Sequence, residues 1–143
     1  MAEQQTPEIK KVAELMRALD FCMFTTVTAD GGMYARPMSN NREVEFDGDI
    51  WFFSGADTRK VDEISREPRV HLSYADPQRF CFISVEGVTE VVTDVDKKRE
   101  LWLKELERWF PNGPEDENVV LLKVRPSVIA YWTGDGDGQV TME

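Results

Sequence analysis

Apolar residues near the start of the chain recur at the spacing of one helix face. The pattern predicts an amphipathic helix over residues 7–19, with Thr6 as the N-cap and Pro7 at the first helical position. The apolar positions of this predicted helix are Ile9, Val12, Leu15, Met16 and Leu19.

Most later apolar positions fall in short runs bounded by turn residues, which is typical of β-strands. The runs FCMFTTVT (21–28) and MYARPMSN (33–40) flank the turn ADGG and predict a hairpin. A glycine at position 87 predicts a bend or bulge inside a long strand. Further strands are predicted at EVEF (43–46), DIWFFS (49–54), RVHLSYAD (69–76), FCFISVEGVTEVVT (80–93), VVLLKVRP (119–126) and SVIAYWTG (127–134), the last two as a closing pair.

Two more helices are predicted between these strands. Residues 57–66 place Val61 and Ile64 on an inner face, and residues 95–110 alternate charged with apolar positions. Many turn-linked strands with only three helices favour a mainly β (α+β) fold, an antiparallel sheet of about six or seven strands closed or nearly closed into a barrel. We expect a single domain over residues 1–143, with flexible tails at 1–6 and 135–143, and a homodimer that covers exposed apolar surface.

Composition and charge narrow the possible ligands. The chain has 143 residues, 41% of them hydrophobic, and its 17 basic and 27 acidic residues give a net charge of -10. Such a surface repels nucleic acid and anionic lipid, so we expect neither as a partner, and an anionic ligand needs a local basic site. The amino-terminal stretch lacks the apolar core of a signal peptide, and no run approaches the roughly 18 apolar residues of a membrane helix. A cytoplasmic protein is expected.

Few residues suit hydrolytic or metal chemistry. His71 is the only histidine of the chain, and no GxSxG motif or Cys/His pairing accompanies it. Cys22 and Cys81 lie in apolar runs that suit buried, reduced thiols. The run DGDG at 135–138 lacks the spacing of a calcium loop. No metal site is predicted, and no catalytic residue is assigned.

The stretch SGADTRKVDEI (54–64) places Arg59 and Lys60 in the first turn of a helix, where the helix dipole disfavours cations. On the strand MYARPM, Arg36 lies between apolar neighbours and also needs a partner. Taken singly, these residues are most simply surface charges or members of salt bridges. Together with the hydroxyls of Ser54 and Thr58 and the free N–H groups of a helix start, they predict a phosphate site.

The order of short motifs along the chain resembles one family. ARPM, IWFFS, GADTRKVDEI, PRVHLSYAD, EGVTEVV, WFPNGPEDEN and SVIAYWTG follow one another as in the FMN-binding split-barrel superfamily. Within it, the chain resembles the pyridoxamine 5'-phosphate oxidase-like proteins of the general stress protein 26 type, over residues 8–134. The resemblance implies a split β-barrel, bound FMN and a homodimer with flavin sites at the subunit interface.

The resemblance also implies roles for particular residues. The FMN phosphate would be held by Arg36 and by the helix start Thr58, Arg59 and Lys60.

Further residues would contact the flavin ring. By the same resemblance, Phe53 and Ser54 at the end of a strand would contact the flavin, and the backbone of Pro37 and Met38 would run along the isoalloxazine. Trp132 would approach the flavin across the dimer interface.

Departures from the true oxidases limit what the resemblance implies. Asn41 stands where those enzymes have a lysine, GDGDGQ replaces an Arg-Leu-His substrate motif, and an apolar residue near Phe82 replaces a flavin-contacting glutamine. FMN binding and the dimer therefore carry over, and oxidation of vitamin B6 does not.

Two functional hypotheses remain open at this point. One is an FMN-dependent oxidoreductase that transfers electrons or hydride to a small-molecule redox partner. The alternative is a non-catalytic protein that binds or stores flavin or senses stress. FAD or deazaflavin are alternative cofactors, and the single histidine, His71, disfavours heme.

Overall fold

The described helices precede or connect the strands of one sheet. A computed structural model describes residues 7–39 and 48–142. Within these ranges the α-helices are α1 (Pro7–Arg17), α2 (Arg59–Arg66) and α3 (Val95–Leu101), and a 3-10 helix spans Lys104–Arg108. The predicted N-cap Thr6 and the predicted strand at 43–46 lie outside the described residues. No helix in the described part of the chain is long and apolar enough to cross a membrane.

The described strands form one antiparallel sheet. They are β1 (Phe21–Val27), β2 (Met33–Ser39), β3 (Ile50–Gly55), β4 (Arg69–Asp76), β5 (Cys81–Val92), β6 (Val119–Thr133) and β7 (Gly136–Thr141). Their order in the sheet is β2-β1-β4-β5-β6-β3, with β7 also paired to β6. The sheet is open rather than closed into a full barrel, and the predicted mainly β (α+β) fold class is confirmed. The predicted hairpin is also confirmed, with Phe24 opposite Arg36.

Two apolar clusters lie on opposite sides of β3. Successive side chains of a strand point to opposite faces, so Phe52 joins the main core while its neighbours Trp51 and Phe53 join a second cluster. In the main core, Phe24 meets Phe52 edge to face with ring centroids 5.3 Å apart. In the second cluster, Phe53 meets Trp102 in the same way at 5.2 Å.

The predicted bulge at Gly87 is confirmed. The register between β5 and β6 shifts at Glu86 and Gly87, and Pro126 lies opposite Gly87. A proline lacks the N–H that a regular ladder needs, so a bulge is one of the few places in a sheet that accepts it. A Cβ at position 87 would lie 2.5 Å from the carbonyl oxygen of Arg125, which explains why only glycine fits there.

Two predicted strands and a predicted tail are organised differently from the expectation. Residues 119–126 and 127–134 do not form a closing pair, because all of them except Gly134 belong to the continuous strand β6. This strand pairs with β3 along its first half and with β7 along its second. Within the predicted flexible tail at 135–143, Gly136–Thr141 instead form strand β7. Strand β7 covers the edge that β3 leaves open on β6, and it buries Val140.

The predicted helix over 95–110 is interrupted. Helix α3 ends at Leu101, and the backbones of Trp102 and Leu103 are extended before the 3-10 helix begins. The extended segment accompanies the packing of the Trp102 ring against Phe53. Burial of an aromatic ring outweighs the small helix propensity of a few residues, so the tertiary contact prevails over the helical pattern.

Candidate functional site

Arg36 lies on β2 and directs its guanidinium toward the interior. Its Nη1 donates to the carbonyl oxygen of Phe24 at 3.2 Å and to the hydroxyl of Thr26 at 2.9 Å. Its Nη2 donates to Oε1 of Glu63 at 3.2 Å, and the side chain is only 15% exposed. Arg36 therefore has the intramolecular salt bridge that is the simplest interpretation of its sequence position.

Glu63 is the common partner of two arginines. Its residue is 3% exposed, and its carboxylate accepts from the Thr26 hydroxyl at 2.5 Å, from Arg36, and from Nε of Arg59 at 2.7 Å. Burial favours the neutral acid, but the hydrogen bonds from Thr26, Arg59 and Arg36 outweigh it and lower the pKa of Glu63 to about 2. The carboxylate is therefore ionised at neutral pH.

The ring of Tyr34 stacks on both guanidinium groups. The Cζ atom of Arg59 lies 3.9 Å from the ring centroid, and that of Arg36 lies 4.8 Å from it. These are cation–π distances. We call Thr26, Tyr34, Arg36, Arg59 and Glu63 the arginine cluster.

Neither Glu63 nor Tyr34 belongs to the site predicted from the sequence. Glu63 follows Arg59 by four residues on α2, the spacing of a helical ion pair, and Tyr34 precedes Arg36 by two on β2, the spacing of same-face neighbours. These two local signals could have identified them.

The start of α2 lies beside the arginine cluster. The N-cap Thr58 is extended, and its side chain does not cap the helix. The hydroxyl of Thr58 donates instead to the carbonyl oxygen of Gly55 at 2.9 Å and lies 3.3 Å from the buried Ser54 hydroxyl. The first helical hydrogen bond is donated by Asp62, so the three preceding N–H groups of the helix have no intrahelical acceptor.

Lys60 is half-buried in the first turn of α2. Burial, and secondarily the positive charge of Arg36, lowers the pKa of Lys60. No carboxylate among the described residues lies within ion-pair distance of its ammonium group. Among the described residues, Glu63 is the one carboxylate that is hydrogen-bonded to any of the three cations at this place, and Asp30 adds only a weaker Coulombic interaction with Arg59. Two of the three positive charges are therefore left for a ligand.

The other predicted strand residues have separate surroundings. Met38 packs against the main core, and Pro37, the neighbour of Met38 on β2, points to the opposite face of the sheet, across from Met23. The ring of Phe53 lies in the second cluster, so only the backbone of Phe53 adjoins Ser54. The chain therefore brings Arg36, Ser54, Thr58, Arg59 and Lys60 together, without the ring of Phe53.

Trp132 does not reach the arginine cluster within one chain. Directly opposite residues in neighbouring antiparallel strands share a face, which places Arg36 and Ile129 on the core side of the sheet. Trp132 follows Ile129 by three positions, so it points to the outer face, where it is 43% exposed. The residues that lie directly opposite one another on successive strands, from β2 to β6, are Arg36, Phe24, Leu72, Val85 and Ile129.

A mainly β fold with cations gathered at a helix start defines a small antiparallel-sheet protein with a candidate anion site. The model of the pyridoxamine 5'-phosphate oxidase-like family matches residues 7–142, so the chain belongs to this family. General stress protein 26 of Bacillus subtilis is 29% identical over 97 residues, which cover 66% of this chain and 69% of that protein. The predicted family is thereby confirmed.

Solved structures share the fold. General stress protein 26 from Bacillus anthracis superposes with a TM-score of 0.78 at 24% identity, covering 93% of this chain and 97% of that one. The general stress FMN/FAD binding protein from Xanthomonas citri superposes with a TM-score of 0.72 at 24% identity, covering 96% of this chain and 92% of that one. At this identity the likeness establishes the fold alone.

Proposed function

We propose that the protein binds FMN and holds its phosphate at the start of α2. The observation that carries the proposal is Lys60, a half-buried ammonium with no carboxylate partner among residues 7–39 and 48–142, beside helix N–H groups that have no intrahelical acceptor. A phosphate would supply the missing negative charge and accept these hydrogen bonds. Arg59 and Arg36 retain donors that their bonds to the protein do not use, so they could also contribute.

The comparisons support a flavin over other phosphorylated ligands. The chain belongs to the pyridoxamine 5'-phosphate oxidase-like family, and a protein of the same fold binds FMN or FAD. Bound FMN would supply redox chemistry, while the chain would orient it and control access to its reactive face. We therefore infer a flavin-dependent oxidoreductase with a small-molecule redox partner, rather than a pyridoxamine phosphate oxidase. The free, buried cysteines Cys22 and Cys81 favour a reducing, cytoplasmic location.

The proposed site is shared between two copies of the chain. Trp132 points away from the arginine cluster, so it would have to approach the flavin of a partner subunit. The outer face of the sheet carries other exposed apolar side chains that a second copy would cover. They include Phe21, Met23 and Met33.

FMN titration tests the proposal directly. We expect the purified protein to quench FMN fluorescence at micromolar concentration and to bind riboflavin, which lacks the phosphate, more weakly. Absence of FMN binding at this concentration would contradict the proposal. If FMN binds but reduced nicotinamide is oxidised no faster than by free FMN, the oxidoreductase part fails and a flavin-binding, storage or sensing protein remains.

Mixing two variants that bind FMN poorly tests the shared site. Trp132→Ala removes the side chain that one subunit would contribute to the flavin site of its partner. Arg59→Ala/Lys60→Ala removes the cations that would bind the phosphate, so each homodimer has only defective sites. After the two are unfolded and refolded together, about half of the dimers are mixed, and each mixed dimer has one site with neither defect. We expect tight FMN binding to return to about a quarter of all sites, measured by fluorescence titration. No recovery despite dimer formation would place Trp132 outside the site.

A further inference from the structure

We propose that Glu63 is a positioning residue that holds Arg36 and Arg59 ready for a doubly charged phosphate monoester. The inference rests on the proposed function and deepens it, because it concerns which phosphorylated ligand the site accepts. Glu63 lies beneath the two arginines and need not touch the ligand itself.

The contacts of the arginine cluster restrict both guanidinium groups before a ligand arrives. Arg36 is held by three acceptors, namely the Phe24 carbonyl, the Thr26 hydroxyl and Glu63. Arg59 is 55% exposed, and its guanidinium is held by Glu63 from one side and covered by the Tyr34 ring. Side chains ordered in advance lose less conformational freedom on binding, which raises affinity for a ligand that fits them.

The same carboxylate sets the charge that the ligand meets. Two guanidinium groups stacked on one tyrosine ring repel each other, and the buried Glu63 carboxylate between them offsets one positive charge. With Lys60, the remaining charge matches a phosphate monoester, which carries close to two negative charges above its second pKa of about 6. The phosphates of a diphosphate such as that of FAD carry about one charge each, so the site favours FMN.

The experiment compares three variants with the wild-type protein. Glu63→Gln removes the charge while keeping the shape, and Thr26→Val removes the hydroxyl that contacts both Glu63 and Arg36 but leaves the carboxylate. Asp62→Asn is the matched control, because Asp62 is the exposed neighbour of Glu63 and pairs with Arg66 at the far end of α2. Affinities for FMN, FAD and riboflavin are measured by fluorescence titration, and the rise in Tm with inorganic phosphate gives a readout independent of flavin.

We expect Glu63→Gln to weaken FMN at least about tenfold, to change riboflavin by less than about threefold, and to narrow the preference for FMN over FAD. Thr26→Val should lower the affinity for FMN relative to riboflavin and to FAD by a smaller factor, and Asp62→Asn should leave both affinity ratios unchanged. Unchanged or tighter FMN binding in Glu63→Gln, or an equal loss for FMN and riboflavin, would overturn the inference. If Glu63→Gln does not fold, the ratios of Thr26→Val decide in the same way.

Failure of the proposed function is distinguishable from failure of this inference. If the wild-type protein binds no flavin, but phosphate raises its Tm and Glu63→Gln or Thr26→Val lowers that rise, the flavin proposal fails and the role of Glu63 stands. If neither flavin nor phosphate has an effect on the wild-type protein, both are overturned.

Discussion

We expect replacement of both Arg59 and Lys60 with alanine to weaken the proposed FMN binding at least about a hundredfold and riboflavin binding by only a small factor. Each lost hydrogen bond between a cation and the phosphate is worth about 1.5 to 3 kcal/mol, and two such losses account for this effect. Riboflavin lacks the phosphate, so its affinity reports the rest of the flavin site. Fluorescence titration of both ligands with the same protein preparation provides the measurement.

A second double variant with the same change in net charge controls for the effect of the protein's overall electrostatic field on FMN binding. Arg66→Ala/Arg69→Ala also removes two positive charges near α2, from exposed side chains that pair with Asp62 and Glu67 away from the arginine cluster. It should bind FMN within about threefold of the wild-type protein, since exposed charges interact weakly through solvent. Similar losses in both double variants, or equal losses for FMN and riboflavin, would show that the phosphate does not lie at the start of α2.

Gly87→Ala lowers the free energy of unfolding by about 3 kcal/mol, the upper part of the range for overpacking a well-packed site. The added Cβ would lie 2.5 Å from the carbonyl oxygen of Arg125 and 3.1 Å from the Cα of Pro126. Both atoms belong to the backbone of the neighbouring strand, so the clash is relieved only by separating β5 from β6 at the bulge. Thermal or urea unfolding measures the loss, expected as a fall in Tm of about 10 °C.

Gly134→Ala is the matched control for this substitution. A Cβ at Gly134 meets no atom within 4 Å, and its backbone conformation is one that other residues adopt. Its Tm should lie within about 2 °C of the wild-type value. A Gly87→Ala protein as stable as Gly134→Ala would mean that the two strands are not packed as closely at the bulge as the structure describes.

The elements of the fold that could be predicted carry local signals. The β1–β2 hairpin has a turn sequence between two apolar runs, and the bulge has Gly87 inside a long strand. The errors concern features that depend on distant neighbours. Strand β7 forms along an edge of β6 that β3 leaves unpaired, and α3 ends where the ring of Trp102 packs against Phe53. The sequence pattern within residues 135–143 does not indicate the pairing with β6, and the pattern within residues 95–110 does not indicate the contact with Phe53.

The cations of the site and the i,i+4 spacing of Arg59 and Glu63 were also accessible from local sequence, whereas the contact of Glu63 with Arg36 was not. Arg59 and Lys60 follow Thr58 at a helix start, an unfavourable place for cations unless a ligand or an acid compensates them. Whether the same acid also reaches Arg36 and Thr26 depends on how α2 packs against β1. That packing brings Glu63 to Thr26 across 37 positions of the chain.

The sequence alone determined most of the periodic elements, the mainly β fold class and the cations at the start of α2, because helix spacing, strand alternation and turn chemistry act over a few neighbouring residues. Only the tertiary structure decided that Glu63 joins Arg36 to Arg59, that Lys60 lacks a carboxylate among the described residues, and that Trp132 faces away from them. Ion pairing depends on distance through space and on exclusion of water, and a sheet assigns each side chain to a face only once its strands have paired.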